Sequence, residues 1–139
     1  MYATVDDMTS RFSRNGELVQ LTDMAGTGAV DPDAVTQALA DASTEVDSYL
    51  KTVYDLTQLS PVPPMLVRTT CDIARYNLYT DAAPDQVQTR YDAAIAWLKN
   101  VQTGVVKLDI AGNEPPATPD TIDFVEGRRG FSRDRLRGF

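Results

Sequence analysis

The chain has 139 residues, 42% of them hydrophobic and 24% charged, which suits one domain with a single core. Its net charge of −7 is unevenly spread: residues 127–139 hold five arginines and one aspartate, while residues 1–126 hold 8 basic and 19 acidic side chains, a balance of −11. A body of that sign repels nucleic acid at long range and makes a poor general DNA binder. The absence of histidine excludes serine–histidine and cysteine–histidine catalysis within this chain, and the lone Cys71 excludes an internal disulfide framework and fits a reducing compartment.

The opening "MYATVDDMTSRF" has neither the basic start nor the apolar run of a secretory signal. No stretch approaches the roughly 20 apolar residues that span a bilayer, so a soluble chain made inside the cell is expected. Within that opening, Thr4 and Asp7 form a capping pattern, and Val5, Met8 and Phe12 recur at helical spacing. A second short helix is expected at "GELVQLT", with Leu18 and Leu21 apolar.

The clearest helix begins at "DPDAV", where Asp31 is a good N-cap, Pro32 suits the first helical position and Asp33 complements the dipole. Val35, Leu39, Ala42, Val46, Tyr49 or Leu50, and Val53 then step by three or four residues and predict a helix over 32–54. "SPVPP" breaks the chain. The next helix, over 63–80, carries Leu66 and Ile73 on one face and Val67, Cys71, Ala74 and Leu78 on its neighbour, the pattern of a central bundle helix. "APDQV" restarts the chain, and Val87, Tyr91, Ala94, Leu98 and Val101 form another stripe with Ile95 and Trp97 beside it.

Past Gly104 the period changes. "VVKLDI" alternates as a strand does, "GNEPPATPD" is a Pro-rich linker, and "TIDFV" alternates weakly before the arginine tail. The expected fold is mainly α: a small bundle of three longer and one or two short helices. Residues 1–102 form the bundle domain, and residues 103–139 an extended C-terminal arm with short β-strand segments, the Pro-rich linker and a basic, aromatic tail.

Candidate chemistry is sparse. Cys71 reads as a core thiol, and Arg68, Asp72 and Arg75 are spaced so that Asp72 can pair with either arginine. "DMAGTGAVDPDA", residues 23–34, has the length of a calcium-binding EF-hand loop, with Asp23, Gly28, Val30 and Asp31 in register. Ala25 and Ala34 replace two of its acids, which favours a connection ending in the Asp31 cap. No metal, cofactor or catalytic set is expected.

The tail "GRRGFSRDRLRGF" has three readings: a solvated terminus, a nucleic-acid contact, or a plug for an acidic protein groove. Phe131, Leu136 and Phe139 among the arginines favour the plug. The candidate partner contacts are Arg128, Arg129, Phe131, Arg133, Arg135, Leu136, Arg137 and Phe139.

Several stretches together resemble one family. They are "MYAT.DDM..RF", "EL.QLTD..G.G..D", "DAS.E.DSYL", "VPP.LVR..CDIARY.LY", "RYDAAIAWLKN...G.V.L" and "FSRD.LRGF". In this order the chain is similar to the small proteins encoded in the head-morphogenesis genes of Mu-like phages and prophages. The resemblance covers nearly the whole chain apart from the Pro-rich linker. It implies a virion head–tail connector, or adaptor, at the head–tail interface, made in the host bacterial cytoplasm. Such a protein would form a homo-oligomeric ring beneath the portal protein, twelve-fold like the portal. Its C-terminal arm would grip the portal, and a downstream, stopper-like tail-proximal protein would follow. Packaged DNA would pass through without sequence-specific binding, and no membrane is involved. The alternative is a small DNA-associated packaging or regulatory factor using the tail as a basic arm.

Overall fold

A computed structural model describes residues 1–108 as a helical fold. Helix α1 spans Val5–Phe12 and begins with the expected capping box: the Thr4 hydroxyl accepts the Asp7 N–H at 3.1 Å, and the Asp7 carboxylate accepts the Thr4 N–H at 2.8 Å. It buries Met8 and Phe12. Helix α2, Glu17–Thr22, buries Leu18 and Thr22.

Three longer helices follow: α3 over Pro32–Leu50, α4 over Pro64–Leu78 and α5 over Asp85–Gln102. All three pack against one another, and α1 lies against α3 and α4. Their shared interior is closed by Val35, Leu39, Val46 and Leu50 from α3, Leu66 and Ile73 from α4, and Leu98 and Val101 from α5. The Tyr76 ring stacks on that of Tyr91, and Arg75 and Tyr79 reach Glu17, so the end of α4 meets the first turns of α5 and the start of α2. Away from there, Leu108, past the end of α5, bonds Tyr54, past the end of α3.

Helix α4 is the innermost. Six consecutive residues, Thr69 to Ala74, are buried, which a helix can achieve only with neighbours on most of its girth. Cys71 sits among them with no exposure, as a core thiol, and burial pushes its pKa up to about 12 against the pull of Arg11. A thiol in that state is protonated and unreactive at neutral pH.

Two expectations are corrected. Helix α3 stops at Leu50 rather than near 54, because the Leu50 carbonyl accepts the N–H groups of both Val53, at 2.9 Å, and Tyr54, at 2.8 Å. The tightened turn keeps Tyr54 buried, so the apolar stripe outlasts the helix that it had predicted. The strand expected at "VVKLDI" is absent over residues 105–108. There the Val106 N–H donates to the Asn100 carbonyl at 3.1 Å, and the Leu108 N–H donates to the Tyr54 hydroxyl at 3.0 Å. Alternation survives only as burial: Val106 is half-buried, Lys107 exposed and Leu108 buried. Among the described residues this segment, docked on a helix end, has no ladder to join. The remaining arm, with the second expected strand over 121–125 and every tail contact from Arg128 to Phe139, lies outside the described residues.

Candidate functional site

Residues 1–108 contain five arginines, and two recesses that share Arg90 take in all of them. Four of them, Arg11, Arg14, Arg75 and Arg90, line a single cleft of about 310 Å³ with Phe12, Asn15, Glu17 and Gln86. The fifth, Arg68, shares a smaller adjoining recess of about 90 Å³ with Arg90, Asp72 and Thr69.

Local structure explains how such distant residues meet. Arg11 occupies the last turn of α1, where a cation suits the negative end of the dipole. The chain then reverses through Asn15 and Gly16, both left-handed at φ 63° and 69°. Asparagine and glycine take that conformation at the least steric cost. The reversal sets Arg14 beside the start of α2 and turns Glu17 towards α4. Arg75 comes from the last turn of α4, and Arg90 from the second turn of α5.

The floor of the cleft is an internally satisfied ion pair. The Arg75 guanidinium grips Glu17 with two parallel hydrogen bonds, Nε to Oε2 and Nη2 to Oε1, both 2.9 Å. The Tyr79 hydroxyl donates a third bond to Oε2 at 2.6 Å. Arg75 also lies over the Phe12 ring, 4.7 Å from its centroid, so its apolar face is covered as well. Burial, followed by the hydrogen bond to Glu17, raises the Tyr79 hydroxyl to about 12.

Around this floor the other arginines are less committed. Arg90 Nη1 stands 3.5 Å from Asp72 Oδ1, and Arg68 Nε stands 3.9 Å from Asp72 Oδ2. These separations are long, and burial holds the Asp72 carboxyl above its ordinary value despite both arginines. Arg11 and Arg14 are exposed, and among the described residues neither has a carboxylate within 4.0 Å. Thr69, fully buried beside the smaller recess, has a hydroxyl with no hydrogen-bond partner among the described residues.

Of the cluster noted in the sequence, Asp72 therefore pairs with Arg68 but not with Arg75, which turns to Glu17 58 residues away in the chain. The convergence of Arg11, Arg14, Glu17 and Arg90 was not anticipated. Its one local trace is Arg11 and Arg14 at three-residue spacing around a helix end.

The loop with EF-hand length is folded around its own acid. The Asp23 carboxylate accepts the backbone N–H groups of Thr27, at 2.9 Å, and Gly28, at 2.6 Å, and these bonds hold its pKa below the usual carboxylate range. Asp31 caps α3 by accepting the Asp33 N–H at 3.0 Å, and its own N–H donates to the buried Thr22 hydroxyl, also at 3.0 Å. Both acids act on backbone N–H groups, as in a capped connection. Exposed Met24 lies beside a shallow hollow there of about 340 Å³.

A cleft of this kind receives acidic groups: planar guanidinium forks match carboxylate or phosphate oxygens, as Arg75 already does with Glu17. Among the described residues no helix is long and apolar enough to cross a membrane.

Comparison with known proteins accounts for the chain end to end. The "Mu-like prophage FluMu protein gp36" of Haemophilus influenzae is 30% identical over 140 residues, covering 100% of this chain and 98% of that protein. "Gene product J" of Escherichia phage Mu is 30% identical over 141 residues, covering 99% and 98%. The family described as "Bacteriophage Mu, Gp36" matches residues 2–126, and the chain belongs to that family of phage proteins.

Proposed function

We propose that this protein is a non-enzymatic structural part of the virion, a head–tail connector that assembles as a ring beneath the portal. The observation that carries this reading is the end-to-end match to Mu and Mu-like phage proteins. Two physical features support it. The described body is a compact helical bundle whose concentrated positive charge lines a docking cleft. The tail, with five arginines and two phenylalanines in thirteen residues, has the composition of a partner-binding peptide.

In this reading the bundle is the ring subunit, and Arg128, Arg129, Phe131, Arg133, Arg135, Leu136, Arg137 and Phe139 dock on the portal and neighbouring subunits. A downstream tail-proximal protein then joins the ring. The acidic body suits the neighbourhood of a DNA channel, since a repulsive wall lets the genome slide without sticking.

Deleting residues 127–139 tests this directly. The deletant keeps its helical circular-dichroism signal and fails to enter particles, leaving heads without joined tails. Normal tail joining by the deletant would sink the connector reading. Salt-sensitive retention of DNA that disappears with the tail would favour the DNA-associated factor instead.

A further inference from the structure

The arginine cleft stands out against its surroundings. Residues 1–108 hold eight basic and fourteen acidic side chains, a balance of −6, yet four of the eight basic groups line one concavity. Its one internal carboxylate, Glu17, is already held by Arg75 and Tyr79. Among the described residues neither Arg11 nor Arg14 has a carboxylate within 4.0 Å, so both offer their charge to whatever enters, with Arg90 beside them.

The shape narrows the choice of occupant. A hollow of about 310 Å³ accepts a few side chains of a peptide, whereas a nucleic-acid duplex needs a long open track of cations. The acidic remainder of the body also disfavours a polyanion. A carboxylate-bearing peptide fits both limits.

The chain itself carries such a peptide. Residues 109–126 contain Asp109, Glu114, Asp120, Asp123 and Glu126 and no lysine or arginine, a balance of −5. This stretch follows Leu108, whose N–H is bonded to Tyr54 beyond the end of α3, whereas the cleft lies at the other end, where α5 begins. The 18 residues of α5 separate the two by about 27 Å. An extended segment of 18 residues reaches up to about 60 Å, enough for its own cleft or for that of a neighbouring copy, and the concentration dependence of association tells the two apart. Donor and acceptor at opposite ends of one subunit make a head-to-tail contact, the kind that propagates into rings or filaments.

We infer that the cleft of Arg11, Arg14 and Arg90 binds the acidic segment 109–126 of a second copy of this chain. This deepens the ring reading above by naming a surface that joins neighbouring subunits. It needs neither portal nor particle to be tested.

The full-length chain is examined by sedimentation velocity over a range of concentrations, at low and at high salt. Two charge reversals accompany it, Arg11→Glu with Arg14→Glu in the cleft and Asp120→Lys with Asp123→Lys in the segment. Arg11 and Arg14 are exposed, and unchanged helical circular dichroism confirms folding; the milder Arg14→Gln serves if the double reversal fails to fold. Wild type associates with concentration, more weakly at high salt. Each reversal weakens association about tenfold or more, and Arg14→Gln weakens it in the same direction. Mixing the two reversed proteins restores it, because each then offers the other a complementary surface.

A wild-type monomer at every concentration would overturn the inference, since it leaves the segment idle or folded back on its own cleft. So would reversals without effect, or a mixture that fails to recover. The connector reading is judged separately, by the tail deletant in particles, so either idea can fail alone.

Discussion

The bundle interior and the arginine cleft share α4 and α5 and are built on opposite principles. Between α3, α4 and α5, stability comes from apolar area removed from water, each large side chain contributing about 1.5–3 kcal/mol without regard to direction. In the cleft, few groups are buried, and what matters is the direction of each polar bond: Arg75 to Glu17, Tyr79 to Glu17, Arg90 to Asp72. The interior has a periodic signature along the chain, and the cleft has none. A region made by burial can be located by counting, whereas one made by directed pairs is located only when the pairs are known.

The contrast can be broken most severely from the interior. Leu98 is fully buried, and Leu98→Ala should lower the unfolding free energy by about 2–5 kcal/mol, measured by urea denaturation. A loss below about 1 kcal/mol would mean that the site is not packed as described. In the cleft the matching experiment is Glu17→Ala, which strands Arg75, whose side chain is only 11% exposed, and removes the acceptor for Tyr79. A loss of about 2 kcal/mol is expected, with Arg68→Ala, at the exposed end of a long pair, costing well under half of that. Equal losses for the two would show that the floor of the cleft is not structural.

The smallest effect sharpens the comparison through pH. Tyr79 and Tyr91 are both raised to about 12, each by burial and then by the carboxylate it donates to, Glu17 and Glu45. The folded hydroxyls hold their protons to higher pH than the unfolded ones, whose pKa is about 10. Their contribution is complete below pH 10 and is lost as pH rises towards 12. Stability followed by denaturation across that window should fall, and Tyr79→Phe with Tyr91→Phe should flatten the fall while lowering stability at neutral pH slightly. An unchanged slope in the double variant would place the alkaline sensitivity elsewhere.

Much of the fold was legible in the chain. Thr4 with Asp7, and Asp31 with Pro32, announce helix starts because a cap is a contact between near neighbours. The stripes of α3 and α5 announce buried faces because a helix repeats every 3.6 residues. Periodicity misled at the margins for the same reason. Val53 continues the stripe although the helix has ended, since a tightened turn half-buries it and buries Tyr54 beside it. Leu108 alternates as in a strand, yet it docks on Tyr54, and no strand lies beside it among the described residues.

Sequence by itself thus determined the helices, their starting caps at Thr4 and Asp31, the core thiol at Cys71 and the opposed charges of body and tail. These all follow from spacing along a few turns or from composition. Tertiary structure alone decided that Arg11, Arg14, Arg75 and Arg90 share one cleft and that Arg75 abandons Asp72 for Glu17. Guanidinium groups from α1, α4 and α5 meet only after the three helices have packed, and no local rule encodes a pair 58 residues apart.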